Sequence, residues 1–271
     1  MSTPYVMVPT RHRAGLTDAT IGLLVKAGVR VVVVCSDEDR AAYAKRWVPP
    51  SAAFGGGLVS VRTLPPNKTA NLSVVHQWCV DIDNRDGKLI LMDDDLFFKV
   101  RSETSKQRSI ATPKDVARMV QWLWDAVDDF AHAGISADKD LGFCDVQPFT
   151  AIGGPMRSVL AYNLRTIYKY GIRFDRVVSK NDYDVTLQLY RLGFPSAVNR
   201  LFGHEQIGGP DLSGGNTDYR TEDVHAKASA QLAALHPRFV TVVEKERKGW
   251  SFKRKDVRVA WSNALHKGLF S

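Results

Sequence analysis

The chain has 271 residues, 44% hydrophobic and 24% charged, which is enough for one large domain or two small ones. Its net charge of +8 favours anionic partners such as nucleic acid, acidic lipid or phosphorylated ligands. Three well-separated cysteines exclude a disulfide framework and a zinc pattern, and no apolar run reaches the roughly 18 residues of a membrane span. Without a signal-peptide pattern at its first residues, the chain is expected to be cytoplasmic and to have no membrane partner.

The first hundred residues predict strands that alternate with helices. Apolar runs predict strands at 5–8, 30–35, 58–62 and 88–92, and helical spacing predicts helices at 17–27, from 37 onwards and at 69–80. This βαβα order predicts an α/β fold with a doubly wound, mainly parallel sheet flanked by helices. In such a sheet, ligands bind at the carboxyl ends of the strands.

The second half is less regular, and we expect it to share the sheet of the first half. We predict a polar loop at 102–111 and a long helix from Pro113 to about Ala133. A strand and turn at 142–152, helices at 158–170 and 183–192, and a glycine-rich loop at 203–219 follow.

Three consecutive aspartates, Asp93, Asp94 and Asp95, follow the apolar strand 88–92. Adjacent anions repel each other unless water or a cation compensates their charge. A divalent cation held by one or two carboxylates and by phosphate oxygens would do so. The motif therefore predicts a metal–diphosphate site, and the alternative is an acidic turn that caps the strand.

Polar residues near the ends of the other predicted strands form a second group of candidates. Arginines can pair with a diphosphate, an acidic side chain can accept hydrogen bonds from a ribose, and a helix N-terminus favours an anion. Solvated loops are the alternative at each position. The candidate nucleotide-binding residues are Pro9, Thr10, Arg11, Arg13, Asp37, Asn67 and Lys68, together with Asp93 and Asp94.

Two later features complete the candidate site. Asp182 and Asp184 open a leucine-rich helix, where a carboxylate is either part of an N-terminal cap or a general base for an acceptor hydroxyl. His204 lies beside flexible glycines, where a neutral imidazole can bind a metal, and the alternative is an ordinary surface histidine.

The C-terminal segment is basic. Between Glu244 and Arg258 there are seven basic and three acidic side chains, interleaved with aromatic residues. Basic side chains bind phosphates and aromatic rings stack on bases, whereas the alternative is a solvated helix and tail. The candidate DNA-binding residues are Lys245, Arg247, Lys248, Lys253, Arg254 and Lys255.

Residues 91–95 resemble the DxD motif of GT-A glycosyltransferases. The order of features along the chain also resembles that class: residues 8–11 come first, then this motif, then an acidic pair and finally a late histidine. Within the class, residues 181–184 and the Gly-Gly-rich loop resemble phage TET/JBP-associated glycosyltransferases, relatives of the base J glucosyltransferase. The resemblance spans about residues 5 to 220. It implies a GT-A domain at 1–220, with a nucleotide-sugar half at 1–100 and an acceptor half at 101–220, and we expect 221–271 to be a basic helical extension.

The resemblance also implies roles for individual residues. Asp93 and Asp95 would hold Mn²⁺ or Mg²⁺ against the diphosphate of a UDP-sugar, most simply UDP-glucose, and Asp94 would contact the sugar or ribose. His204 matches the metal-binding histidine, and Asp182 matches the base. The usual acidic first residue of the late pair is an asparagine here, which leaves Asp182 or Asp184 as the base.

The implied reaction is inverting transfer of the sugar to the hydroxyl of a hydroxymethylated pyrimidine in DNA, with the base flipped out of the duplex. Three alternatives stay open. The acceptor is a protein or a glycan, the reaction is metal-dependent nucleotidyl transfer, or the chain is a DNA-binding module without activity.

Overall fold

A computed structural model describes residues 3–16, 18–48, 57–69, 71–82, 86–105, 107–138, 149–154, 156–207, 221–246 and 254–267. The strands are β1 (Tyr5–Pro9), β2 (Arg30–Cys35), β3 (Val59–Thr63), β4 (Lys88–Met92), β5 (Leu96–Arg101), β6 (Arg108–Ile110), β7 (His132–Ala137), β8 (Thr150–Ile152), β9 (Val159–Asn163), β10 (Ser196–Gln206), β11 (Val240–Lys245) and β12 (Arg254–Val259). The helices are α1 (Thr20–Lys26), α2 (Asp37–Trp47), α3 (Leu72–Ile82), α4 (Pro113–Asp129), α5 (Leu164–Lys169), α6 (Asn181–Arg191), α7 (Glu222–Leu235) and α8 (Trp261–Lys267).

One sheet joins the two halves of the chain, in the order β3-β2-β1-β4-β9-β7-β10-β5-β6, with β8 paired to β10 beside this path. Strands β1 to β4, β7 and β10 all point the same way, whereas β9 runs antiparallel between β4 and β7. The predicted α/β class, with a large Rossmann-like and mainly parallel sheet, is confirmed. The expectation that both halves share this sheet is confirmed as well.

The sheet is covered by helices on both faces, so its central strands are apolar on both sides. In β2, Val31 and Val33 pack with α1, α2 and α4 on one face, and Val34 packs with α3, α5 and α6 on the other. Such continuous valine runs are typical of buried parallel strands. The site described below lies on the α3 and α6 side, at the carboxyl ends of the strands.

Helix α4 shows how local sequence starts an element. Thr112 accepts a hydrogen bond from the Asp115 amide, the Asp115 carboxylate accepts one from the Thr112 amide, and Pro113 is the first helical residue. This reciprocal cap satisfies amides that otherwise lack a partner at a helix start. The helix ends at Asp129, before the predicted end near Ala133, because β7 begins at His132.

Three predictions in the second half were wrong. Residues 102–111 were predicted to be a polar loop, but residues 108–110 form β6, which pairs with β5. Residues 158–170 were predicted to be one helix, but residues 159–163 form β9 and only α5 is helical. Residues 203–206 were predicted to lie in a loop, but they continue β10. Residues 159–163 are largely buried on both faces of the sheet, so their apolar run lacks the alternation that distinguishes a strand from a helix. Residues 203–206 are polar apart from Gly203, and they are extended because they pair with β5. Most of the predicted turn at 142–152 and of the glycine-rich loop lies outside the described residues.

The C-terminal segment contains α7 and α8, and between them β11 and β12 pair as an antiparallel two-stranded sheet, the C-terminal hairpin. The prediction of a basic helical extension was therefore wrong for residues 240–245 and 254–259, because β-branched residues such as Val240, Thr241 and Val257 favour extended backbone. Leu187 of α6 and Leu232 of α7 share one apolar cluster with the hairpin. Within the described residues, no helix has the length and hydropathy that a membrane crossing requires.

Candidate functional site

The three aspartates connect β4 to β5 at the carboxyl edge of the sheet. The Asp93 amide donates to the Ser158 carbonyl at 2.9 Å, and the Asp93 carbonyl accepts from the Thr20 hydroxyl at 2.6 Å. Both bonds hold the turn by its backbone. The side chains make other contacts: Asp94 and Asp95 both accept from Arg13, and Asp93 accepts from Gln206.

Asp94 is buried and holds the loop after β1. It accepts hydrogen bonds from the Thr10 hydroxyl and, at 2.7 Å, from Nη1 of Arg13. The Thr10 hydroxyl also bonds the Tyr43 hydroxyl, which in turn accepts from the Arg13 amide. Burial raises the pKa of Asp94, and the Arg13 charge opposes that rise. In this structure, Asp94 and Arg13, both predicted to contact the donor, bind each other.

Asp95 and Asp93 are the two carboxylates of the triplet that would hold a cation. Asp95 accepts from Arg13 at 3.1 Å through Oδ2, but its Oδ1 is buried and has no hydrogen-bond partner among the described residues. Asp93 is partly exposed and accepts a 3.3 Å hydrogen bond from the Gln206 amide. An unsatisfied buried carboxylate oxygen favours a cation, and Mg²⁺ needs only one or two carboxylates when phosphate oxygens complete its ligands. These residues therefore fit Mn²⁺ or Mg²⁺.

His204 does not lie on a loop, as the sequence suggested, but within β10 opposite Phe98 of β5. Its side chain is buried. In the part of the chain that the structure describes, no three side chains of His, Cys, Asp or Glu converge into a metal-binding group. The structure thus does not bring His204 together with Asp93 and Asp95 in such a group.

A cavity of about 450 Å³ is lined by both Asp93 and Asp182, although they lie far apart in sequence. Asp93 comes from the end of β4, and Asp182 comes from the first turn of α6. Sequence reasoning did not find most of the other polar residues here, since their only signal is that the fold brings them together. The residues that it missed include His76, Arg157, Lys180, Gln206, His225 and Asp256. Lys245 and Arg254, which were predicted to bind DNA, line the cavity as well.

The two candidate bases have different surroundings. Asp184 is fully buried, where it accepts hydrogen bonds from Gln188 at 2.9 Å and binds Nε2 of His236 at 2.8 Å. Asp182 lines the cavity, and burial raises its pKa while the charges of Lys180 and Arg157 oppose the rise. A carboxyl with a raised pKa that faces a cavity suits a general base better than one enclosed by structural partners.

Backbone strain occurs on the wall of this cavity. Ser158 has φ of 64° and Lys180 has φ of 65°, and both residues line the cavity. Non-glycine residues seldom adopt this left-handed conformation, which costs of order 1–3 kcal/mol and is found preferentially at functional sites. Ser158 accepts from the Asp93 amide, and Lys180 immediately precedes α6, so the strained residues set the positions of both acidic side chains.

The predicted nucleotide-binding residues outside the triplet lie around the strand ends but not on this cavity. Pro9 ends β1, Arg11 follows it, and Asp37 is exposed at the start of α2. Asn67 and Lys68 form a 3₁₀ turn, and α3 begins only at Leu72. In the loop after β1, the His12 amide donates to the buried Asp39 carboxylate at 2.8 Å, a contact that no sequence pattern indicates.

The predicted DNA-binding residues are distributed between the cavity and the protein surface. Lys245 and Arg254 line the cavity and donate to the Asp256 carboxylate at 3.2 and 2.7 Å. Lys255 is exposed on β12. Arg247, Lys248 and Lys253 lie outside the described residues.

No protein-family model and no curated protein matches the chain. Among solved structures, the chain is similar to CMP:2-keto-3-deoxy-manno-octonic acid synthetase complexed with CTP. The two are 14% identical, with a TM-score of 0.38, over 73% of this chain and 89% of that chain. A likeness of this size carries no argument about the reaction.

Proposed function

We propose that the chain is a metal-dependent inverting glycosyltransferase that moves a sugar from a UDP-sugar to the hydroxyl of a hydroxymethylated pyrimidine in DNA. The observation that carries the proposal is the cavity lined by both Asp93, at the end of a parallel strand, and Asp182, at a helix start. A single displacement needs a carboxylate beside the donor diphosphate and another beside the acceptor hydroxyl. The resemblance to the phage glycosyltransferases supplies UDP-glucose as the donor and the DNA base as the acceptor.

In the proposed reaction, Asp182 accepts the proton of the acceptor hydroxyl while that oxygen bonds to the anomeric carbon. The bond from this carbon to the diphosphate oxygen breaks, and UDP leaves with the bonding electrons. Mn²⁺ or Mg²⁺ held by Asp93 and Asp95 would stabilise the negative charge on the leaving diphosphate. Burial, which raises the pKa of Asp182, makes its carboxylate a stronger base than an exposed aspartate.

The DNA would approach from the C-terminal hairpin. Lys245 and Arg254 line the cavity, so a phosphate backbone bound by this hairpin would place a flipped base at the cavity. Lys255 adds an exposed positive charge to the same hairpin. Neither the three aspartates nor a general base that deprotonates a hydroxyl is specific for a DNA acceptor. The basic hairpin is the observation that favours DNA over a neutral glycan.

The first prediction is that Asp182→Asn abolishes transfer. Duplexes that contain 5-hydroxymethyluracil or 5-hydroxymethylcytosine are incubated with UDP-glucose and Mn²⁺, and the digested nucleosides are analysed by mass spectrometry. Because the amide cannot accept the hydroxyl proton, we expect the rate to fall by at least about a hundredfold. Chelation of the metal should stop transfer by the unmodified protein as well.

The matched control is Asp129→Asn, since Asp129 is exposed near the end of α4. This variant should retain the full rate. Release of pyrophosphate instead of UDP would identify a nucleotidyltransferase, and sugar on a protein or glycan but not on DNA would contradict the acceptor. If no sugar is transferred from any of several donors while the protein still binds DNA, the chain is a DNA-binding module without activity.

A further inference from the structure

His76 and Asn181 form a buried pair on the wall of the cavity. Nδ1 of His76 lies 2.8 Å from Nδ2 of Asn181, and the two residues are only 5% exposed. Both line the cavity with Asp182, which directly follows Asn181 in the chain. The pair therefore holds an imidazole of α3 against the first turn of α6, beside the proposed base.

The contact fixes the tautomer of the imidazole. An amide nitrogen donates hydrogen bonds and cannot accept them, so Nδ1 of His76 must be the acceptor. Burial lowers the pKa of His76 to about 4, which keeps the ring neutral near pH 7. A neutral imidazole with an unprotonated Nδ1 carries its proton on Nε2. His76 thus offers Nε2–H as a donor and has no acceptor left.

We propose that His76 is a specificity-determining residue that donates from Nε2 to the C4 oxygen of the acceptor base and selects 5-hydroxymethyluracil over 5-hydroxymethylcytosine. The inference rests on the proposed function, because Asp182 is taken to bind the hydroxyl at C5. The C4 substituent is next to C5 on the pyrimidine ring, and His76 lines the same cavity as Asp182. Uracil has an oxygen acceptor at C4, whereas cytosine has an amino donor.

If the cytosine amino group faces Nε2–H of His76, both groups are donors and neither has a hydrogen-bond acceptor. A site that forms a hydrogen bond with one substrate therefore rejects an analogue that cannot form it. One such polar contact discriminates between bases by about 1–3 kcal/mol, which corresponds to roughly tenfold to a hundredfold in rate. Asn181 controls the choice through the tautomer. An aspartate at this position would accept from Nδ1–H and leave Nε2 as an acceptor for the cytosine amino group.

The experiment compares initial rates on two duplexes that differ only in one 5-hydroxymethyluracil or 5-hydroxymethylcytosine, with UDP-glucose and Mn²⁺ at pH 8.5. The unmodified protein should prefer hydroxymethyluracil by about tenfold or more. Asn181→Asp should move the ratio by about tenfold or more toward hydroxymethylcytosine, and His76→Phe should bring it close to one. Asn263→Asp, at an exposed position of α8, adds the same charge and should keep the original ratio.

A second measurement does not depend on activity. Long-range ¹H–¹⁵N correlation spectra report which imidazole nitrogen carries the proton, and His76→Phe assigns the signal. The Nε2–H tautomer in the unmodified protein supports the proposal, and the Nδ1–H tautomer overturns it. Transfer to both duplexes at equal rates also overturns it, while leaving the proposed function intact. Transfer to neither duplex overturns the proposed function and this inference with it.

Discussion

His132 is a buried histidine at the start of β7, in the middle of the sheet. Its ring is 1% exposed and stacks on Tyr162, with the ring centroids 4.5 Å apart. Neither of its ring nitrogens has a hydrogen-bond partner among the described residues. Burial therefore lowers the pKa of His132 to about 3, since the charged form would have no compensation.

The second prediction is that His132→Phe weakens the acid sensitivity of folding. An unfolded histidine titrates near pH 6.5, so below this pH the unfolded chain binds more protons than the folded one. Stability linked to His132 is thus complete above about pH 6.5 and is lost as the pH falls toward about 3. Urea unfolding at pH 7.5 and 4.5 should show a smaller difference for the variant. An equal difference in both proteins would contradict the prediction.

The C-terminal hairpin is held at the site by one buried carboxylate. Asp256 of β12 accepts hydrogen bonds from Lys180 at 2.7 Å, from Arg254 at 2.7 Å and from Lys245 at 3.2 Å. Lys180 directly precedes α6, so Asp256 connects the hairpin to the helix that carries Asp182. Burial alone would raise the pKa of Asp256, but the bonds from Lys180 and Arg254 outweigh it and lower the pKa below its ordinary value.

The third prediction is that Asp256→Asn destabilises the protein by about 2 kcal/mol at pH 7, because three cations lose their shared partner. A carboxylate with a lowered pKa stabilises the fold above its unfolded pKa of about 3.9, and this contribution is lost as the pH falls further. The difference between the two proteins in urea unfolding should therefore shrink below pH 4. Asp128→Asn, which breaks an exposed pair with Lys88, should cost less than about 1 kcal/mol.

Elements whose pattern is local could be predicted, and those whose pattern depends on neighbours could not. Strand β4 and helix α2 were found with their observed starts, because apolar runs and acidic first turns are visible in the sequence. Strand β9 was taken for a helix, since its residues are buried on both faces, where Val159 and Ala161 join one apolar cluster and Leu160 and Tyr162 join the other. Burial on both faces comes from the sheet order, which the segment itself does not encode.

At the scale of the whole molecule, the same limit applies to the candidate site. The sequence predicted the carboxyl edge and Asp93, because strand–helix alternation alone places a loop there. It could not show that His76 contacts Asn181 or that Asp256 pairs with Lys180, since these contacts join α3, α6 and the hairpin. The contacts made in the fold also distinguish Asp182, which lines the cavity, from Asp184, which binds Gln188 and His236. The sequence around the two aspartates does not show this difference.

The distribution of charge gives the last prediction, which concerns the face that binds DNA. Lys255 is exposed on β12 of the C-terminal hairpin, and Lys114 is exposed on α4, which packs on the opposite face of the sheet from α3 and α6. Each lysine that contacts a phosphate releases about one counterion, so the affinity for duplex DNA falls with salt in proportion to the number of contacts. Lys255→Ala should therefore weaken binding and reduce the slope of log K against log salt by about one.

Lys114→Ala removes the same charge from the molecule and should leave that slope unchanged, because long-range attraction alone is screened within about 10 Å at 0.1 M salt. Fluorescence anisotropy with a labelled duplex, measured from 50 to 200 mM salt, gives both slopes. Equal slopes for the two variants would mean that net charge, and not the hairpin, attracts the DNA. A lower slope only for Lys255→Ala would place the phosphate backbone on the C-terminal hairpin, whose Lys245 and Arg254 line the cavity.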